Sequence, residues 1–187
     1  MGKERKWGVY GSSFGEYLED FRKAGFDRNH LLKLIRKQSG VTAIDLFSGP
    51  EALESLAWQY SPANFLSGVS VSDMDVGSDH PAIFHSCTDL TSKAVWDELV
   101  QHQYSLVLSR AVGPMMESYT RVLDAYLENS MRLIAPGGIG MLQYPHDLPE
   151  QFFVGLAQFH GVQIEMEFGY FSQYNFPGYA LLVSKPR

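Results

Sequence analysis

Apolar residues in this chain recur with two periods, and the switches between them mark out its elements. Phe14, Tyr17, Leu18 and Phe21 fall at i, i+3, i+4 and i+7, one face of an amphipathic helix. Gly25 interrupts that pattern. Asp27 or Asn29 then stands where a cap belongs for a second helix through Leu31, Leu32, Leu34 and Ile35, which Gly40 ends. Residues 1–12 carry charge, glycine and serine and read as a loose lead-in. Val41–Leu46 is a short apolar run rich in β-branched residues, as a buried parallel strand requires. Ser48, Gly49 and Pro50 punctuate it, and Ala52, Leu53, Leu56, Ala57 and Tyr60 return to helical spacing.

The same alternation continues to the C-terminus. A second strand is predicted over residues 64–72, followed by a polar loop over 72–81, a third strand over 82–86 and a helix over 92–100. Residues 104–109 form a fourth strand and 116–134 a long helix, which Ala135-Pro136-Gly137-Gly138 stops before a fifth strand over 139–143. A helix over 148–160 carries Phe152, Phe153, Leu156 and Phe159; strands over 162–168 and 179–184 flank a loop over 169–178. Strands alternating with helices predict an α/β fold, a doubly wound, mainly parallel sheet of seven strands. Val41–Leu46 is expected at its centre, between the second and fourth strands, and the last two strands as an antiparallel hairpin at one edge. Residues 1–39 are expected as a helical lead-in packed on an α/β domain over 40–187, together one globular unit.

Composition narrows the classes. With 45% hydrophobic and 19% charged residues the 187-residue chain is globular and can bury a real core. A net charge of −6 supplies no general basic surface, which disfavours nucleic acid as a partner; the expectation is a small-molecule substrate, unidentified. The single cysteine, Cys87, excludes an internal disulfide. No apolar run has the length of a membrane span, and no apolar signal core follows the charged N-terminus, so the expectation is a cytoplasmic protein without a membrane partner. Oligomeric state is not legible.

Familiar chemistry is missing. The six histidines are scattered without metal-ligand spacing, so no metal is expected. Phe47-Ser48-Gly49 lacks the Gly-x-Ser-x-Gly geometry of a nucleophile elbow, and no Gly-x-x-x-x-Gly-Lys loop occurs. What remains is the turn itself. A strand feeding a helix through a glycine turn leaves backbone N–H groups pointing at open space, where a nucleotide-like cofactor can lie.

The stretch from Val41 to Leu53 resembles motif I of class I S-adenosylmethionine-dependent methyltransferases, with Asp45 in the acidic place and Gly49 as the middle glycine. Phe47 and Glu51 stand where the outer glycines are expected. Three later runs are similar to the same family in order and spacing: Cys87-Thr88-Asp89-Leu90, Tyr104 to Ser109, and Arg132 to Gly138. The resemblance implies a Rossmann-like fold with S-adenosylmethionine as cofactor. On it, Asp45, Phe47, Ser48 and Gly49 serve the methionine end, and Ser70 or Asp73 the ribose. Thr88, Asp89 and Leu90 serve the adenine, and Ser109, also counted with the cofactor, ends the fourth strand, whose end faces the methyl acceptor. Arg110, Tyr144 and His146 would face the methyl acceptor. A narrower resemblance, of Ser48-Gly49-Pro50 with Ser109-Arg110-Ala111 to bacterial methyltransferases of small-subunit ribosomal RNA guanine, sits poorly with the acidic balance.

Each residue has a plainer reading. Asp45 can cap local backbone, Arg110 can join a surface salt bridge, and His146 can simply be exposed. Tyr170, Phe171, Tyr174 and Phe176 can stack on a planar substrate or pack the hairpin. Ser48-Gly49-Pro50-Glu51 has the form of a capping box, with Ser48 as N-cap. A carboxylate at Glu51 is also expected to repel the cofactor's own carboxylate. Phe47, Glu51 and Ser70 keep an alternative in view: a non-catalytic relative serving as a binding or scaffold domain. A nicotinamide-dependent dehydrogenase is third, and the Pro-Gly-Gly run and terminal hairpin oppose it.

Overall fold

The computed structural model describes residues 13–60, 63–110, 123–145, 149–171 and 176–187. Helices α1 (Phe14–Ala24) and α2 (Arg28–Arg36) lead into strand β1 (Val41–Leu46) and helix α3 (Glu51–Ser55), which continues as a π-helical turn over Leu56–Tyr60. Strands β2 (Phe65–Ser72) and β3 (Ile83–Cys87), helix α4 (Lys93–Leu99) and strand β4 (Tyr104–Arg110) follow. Helix α5 (Leu123–Arg132), strand β5 (Ile134–Pro145), helix α6 (Glu150–His160) and strands β6 (Gln163–Phe171) and β7 (Phe176–Ser184) complete the described elements.

The seven strands form one sheet in the order β3-β2-β1-β4-β5-β7-β6. β1 pairs in parallel with β2 and β4, β2 with β3, and β4 with β5. β7 runs antiparallel to both β5 and β6, so the hairpin closes one edge as its sequence predicts. The order reverses beside β1, which places a crevice at the carboxyl ends of β1 and β4.

Alternation along the strands builds a core on each face. Val41 and Ala43, with Leu106, Leu108, Ile139 and Met141, meet Phe14, Tyr17, Leu18 and Phe21 of α1 and Leu31 and Ile35 of α2. Ile44, Leu46, Val107, Leu142 and Tyr144 point the other way, against Trp96, Tyr126, Leu127 and Phe153. The N-terminal helices therefore share a core with the sheet. Asp27 caps α2 by accepting the Asn29 amide at 3.0 Å. At Gly169 an added Cβ would stand 3.0 Å from the Ala24 backbone, so glycine lets α1 lie directly on β6.

Three boundaries differ from the sequence reading. The long helix ends at Arg132, and of the expected span the residues before 123 lie outside the described ones. The Pro136-Gly137-Gly138 run is a bulge inside β5, not a linker before it: Tyr104 pairs with Ile134, and Leu106 with Ile139. Gly137, at φ 78°, donates its amide to the Lys185 carbonyl, so the C-terminal strand's neighbour holds the bulge in place. The hairpin pairs as far as Phe171 with Phe176, which absorbs much of the expected loop; Tyr174 lies outside the described residues.

Candidate functional site

The turn after β1 carries the most unusual backbone of the described chain. Phe47 has φ 63°, the left-handed conformation that L side chains avoid, and among the described residues no other non-glycine has positive φ. Its amide donates to the Val71 carbonyl at 2.8 Å, and its ring meets Tyr126 edge-on at 4.8 Å. Thus the turn takes a backbone path suited to glycine with a phenylalanine standing there. Strain of this kind persists only where surrounding structure over-determines it.

The capping box does not form. Pro50, locked near φ −71° and already helical, is the N-cap of α3, and no side chain caps it. Ser48 is therefore two positions too early, and Glu51 is the first helical residue. The Glu51 side chain turns back over Gly49, where an added Cβ would overlap its carboxylate.

Under this turn lies Asp45, fully buried. Its Oδ1 accepts the Tyr17 hydroxyl of α1 at 2.6 Å. Burial pushes the carboxyl up to about 7, while the Tyr17 hydroxyl and the Arg110 charge pull it down and Glu51 raises it slightly. Burial and the Asp45 charge push the Tyr17 hydroxyl well above the ordinary tyrosine value. Asp45 Oδ2, Ser48 Oγ and Glu51 Oε2 are buried without a hydrogen bond, as is Ser109 Oγ, on the residue beside Leu46 in the β1–β4 register. Each such atom costs about 1–3 kcal/mol unless something meets it. Four around one strand end call for a polar occupant.

α1 also seals the next strand. Arg110, its side chain only 8% exposed, donates Nη2 to Asp20 Oδ2 at 2.6 Å and lies over the Tyr17 ring at 5.3 Å. Glu16 Oε2 stands 3.6 Å from Arg110 Nη1. Gln143, directly opposite Arg110 in the β4–β5 register, donates Nε2 to the same Asp20 oxygen at 3.0 Å. The expectation of a substrate-facing or surface Arg110 thus gives way to a buried pair held by α1.

The remaining candidates separate. Ser70 lies beside Asp45 in the register and bonds His85 Nδ1 at 2.7 Å, while His85 Nε2 donates to the Met74 carbonyl at 2.7 Å. Asp73 is exposed just past β2. Beyond β3, the Thr88 amide donates to the Ser72 carbonyl, and the Leu90 carbonyl accepts the Trp96 indole N–H. Asp89 is exposed; its carboxylate accepts the hydroxyl and amide of Thr91, which hold it below the usual carboxylate range. Tyr144 does not face this edge: it is buried on the opposite side, stacked on Tyr126 at 6.5 Å and edge-on to Phe153 at 5.4 Å. The even-numbered residues of β5 point there and Gln143 points to α1. His146 lies outside the described residues.

Sequence reasoning missed Glu16, Tyr17 and Asp20 on α1, with Gln143 and His85. A signal existed for one of them. Asp20 flanks the stripe Phe14, Tyr17, Leu18, Phe21, where a carboxylate is out of place unless paired.

No protein-family model matches the chain, and comparison with curated proteins finds no significant match. Solved structures do. The chain is similar to precorrin-6y C5,15-methyltransferase from Geobacter metallireducens GS-15, with TM-score 0.52 and 14% identity over 84% of this chain and 86% of that one. It is similar to magnesium protoporphyrin IX methyltransferase from Synechocystis PCC 6803, solved with bound SAM, with TM-score 0.52 and 14% identity over 95% and 88% of the two chains. An O-methyltransferase family protein from Burkholderia thailandensis matches at TM-score 0.51 and 12% identity, over 84% of this chain and 55% of that one. The chain has the class I methyltransferase fold. At such identity the likeness is one of fold. Among the described residues no helix is long and apolar enough to cross a membrane.

Proposed function

We propose that this protein binds S-adenosylmethionine at the carboxyl ends of β1, β2 and β3 and transfers its methyl group to a small-molecule acceptor. One observation carries the reading: the buried, unpartnered polar atoms of Asp45, Ser48, Glu51 and Ser109 gather at the strand ends where this fold has its crevice. A polar ligand satisfies them, and an apolar one does not. The obstruction over Gly49 is the Glu51 side chain, which can rotate, and not backbone. The residues present therefore fit the cofactor.

Asp45, Phe47, Ser48 and Gly49 would hold its methionine end, Ser70 or Asp73 the ribose, and Thr88, Asp89 and Leu90 the adenine. Ser109 lines the neighbouring strand end. Bound there, S-adenosylmethionine supplies a methyl group on a positively charged sulfur. The chain's task is then chiefly to position the reactants and exclude water, and displacement of this kind needs little acid–base assistance. Arg110 and Asp20 fix α1 across the strand ends and so shape the wall on the acceptor side.

The test is a thermal melt with S-adenosylmethionine and with S-adenosylhomocysteine. A ligand that binds only the folded chain raises the melting temperature, by about 2.7 kcal/mol of stability at a hundred times its dissociation constant. No rise with either compound into the millimolar range refutes the reading and leaves a domain with another use of the same fold.

A further inference from the structure

Arg110 ends β4 with its side chain only 8% exposed, and its two terminal nitrogens meet different surroundings. Nη2 donates to Asp20 Oδ2 at 2.6 Å. Nη1 is buried without a hydrogen-bond partner. The oxygen facing it is Glu16 Oε2 at 3.6 Å, too long for a hydrogen bond. Gln143, opposite Arg110 in the β4–β5 register, repeats the pattern. Its Nε2 donates to the same Asp20 oxygen at 3.0 Å, and its Oε1 is buried without a partner. The ion-paired Asp20 carboxylate only accepts, which sets the amide with its nitrogen toward Asp20 and its oxygen free. A donor and an acceptor thus stand side by side at the ends of β4 and β5. Buried polar groups left unmet are destabilising, charged ones most of all.

Glu16 covers the guanidinium without belonging to the buried set. It sits in the first turn of α1 with its side chain 48% exposed, whereas Asp20, one turn on, is buried. Side-chain rotation alone carries the Glu16 carboxylate into water, and another anionic oxygen can then take its place at Nη1. We propose that Arg110 Nη1 and Gln143 Oε1 form the subsite that recognises the methyl acceptor, and that the acceptor is a small carboxylate with a hydroxyl or amino group beside the acid. The acid accepts from Nη1, and the neighbouring O–H or N–H donates to Gln143 Oε1. Glu16 guards the subsite, standing where the ligand's carboxylate will lie. The inference rests on the function proposed above and names the class of its acceptor.

The placement suits a second reactant. Leu108 lies beside Asp45 in the β1–β4 register, which sets Arg110 two residues further along β4 on the same face. The Tyr17 ring spans the two: its hydroxyl donates to Asp45 Oδ1 at 2.6 Å, and the Arg110 guanidinium lies 5.3 Å from its centroid. A ligand at Arg110 is therefore next to the β1 turn without sharing its polar atoms. Charge selects within the class. Asp20 already balances part of the guanidinium charge, so a singly charged carboxylate fits where a doubly charged phosphate is repelled. A neutral ligand forfeits the charge-assisted bond at Nη1 and leaves Glu16 in place.

The test is calorimetry on the full chain with salicylate, anthranilate and lactate, each beside its carboxamide, with and without S-adenosylhomocysteine. Wild type should bind the acids about tenfold or more tighter than the amides, the range of a charge-assisted hydrogen bond. Benzoate, which lacks the neighbouring donor, should bind about threefold to tenfold more weakly than salicylate. Glu16→Gln removes the guard's charge and should tighten the acids about threefold to tenfold while leaving the amides unchanged, which loss of a merely structural ion pair would not do. Arg110→Lys should abolish the preference for acids. A melt without ligand checks that both variants fold, and the half-exposed Glu16 keeps the test decisive if the lysine variant does not. Equal binding of acids and amides, or no tightening of the acids in Glu16→Gln, overturns the subsite. So does the absence of acid binding to either protein up to about 10 mM. Acid binding that neither substitution alters belongs to another place on the molecule and overturns it too. No binding of S-adenosylhomocysteine refutes the function proposed above, while the acid preference measured without it still decides the Arg110 subsite.

Discussion

Phe47 offers the sharpest check on the turn, because its backbone makes the usual order of two substitutions reverse. At an ordinary position alanine is more stable than glycine by roughly 0.5–1 kcal/mol, since glycine loses more backbone freedom on folding. At φ 63° an L side chain instead incurs about 1–2 kcal/mol from Cβ against the carbonyl, which glycine escapes. Both Phe47→Ala and Phe47→Gly lose the half-buried ring and its edge-on contact with Tyr126, so that loss cancels between them. At the centres of these ranges the balance leaves Phe47→Gly more stable than Phe47→Ala by about 0.75 kcal/mol. For a chain of this length that is a melting difference of about 1–4 °C. Against wild type, removal of a half-buried ring costs about 2 kcal/mol. The net gain offsets about a quarter to a half of it for glycine and none of it for alanine. Urea unfolding of the three proteins, with a melt as a second probe, reads both differences. If Phe47→Ala equals or exceeds Phe47→Gly in stability, the left-handed turn is not imposed by the fold, and the inference of a glycine-like path kept under strain is wrong.

Asp45 and Asp20 give further expectations. The folded-state Asp45 carboxyl, near 7, lies above its unfolded value, so the folded chain holds the proton more tightly; the stability this contributes is complete below about pH 4 and is lost as pH rises through 7. Asp45→Asn should flatten that falling limb in denaturation measured from pH 4 to 8, and an unchanged slope would assign the limb to other groups. Asp20→Ala strands buried Arg110 and removes the acceptor of Gln143, so it should cost about 3–5 kcal/mol. The accompanying fall in melting temperature is about 6–20 °C; a loss under 1 kcal/mol would show that Glu16 and water replace it.

How much of this was legible follows from the range over which each cause acts. Val41–Leu46 as the central strand, the order of helices and strands, and the terminal hairpin come from local periodicity and from β-branched runs, which the chain carries within a few residues. Asp27 as a cap is equally local, because Asx capping spans two residues. The turn after β1 was recognisable for the same reason, from Ser48, Gly49 and Pro50 between a strand and a helix.

What neighbours decide was not legible. The capping box failed because Pro50 fixed the helix start, and the fate of the Glu51 carboxylate depends on what lies over Gly49. Arg110 and Gln143 look like unrelated residues until the β4–β5 register sets them side by side beneath Asp20, 90 residues from the first and 123 from the second. Tyr144 went to the opposite core because odd and even positions of β5 face opposite ways, and the bulge at Gly137 shifts where pairing resumes. Local pattern specifies which segments become strands and helices. The partners of a buried charge are specified only by the sheet order and the helix laid across it, since desolvation and pairing are properties of the assembled interior.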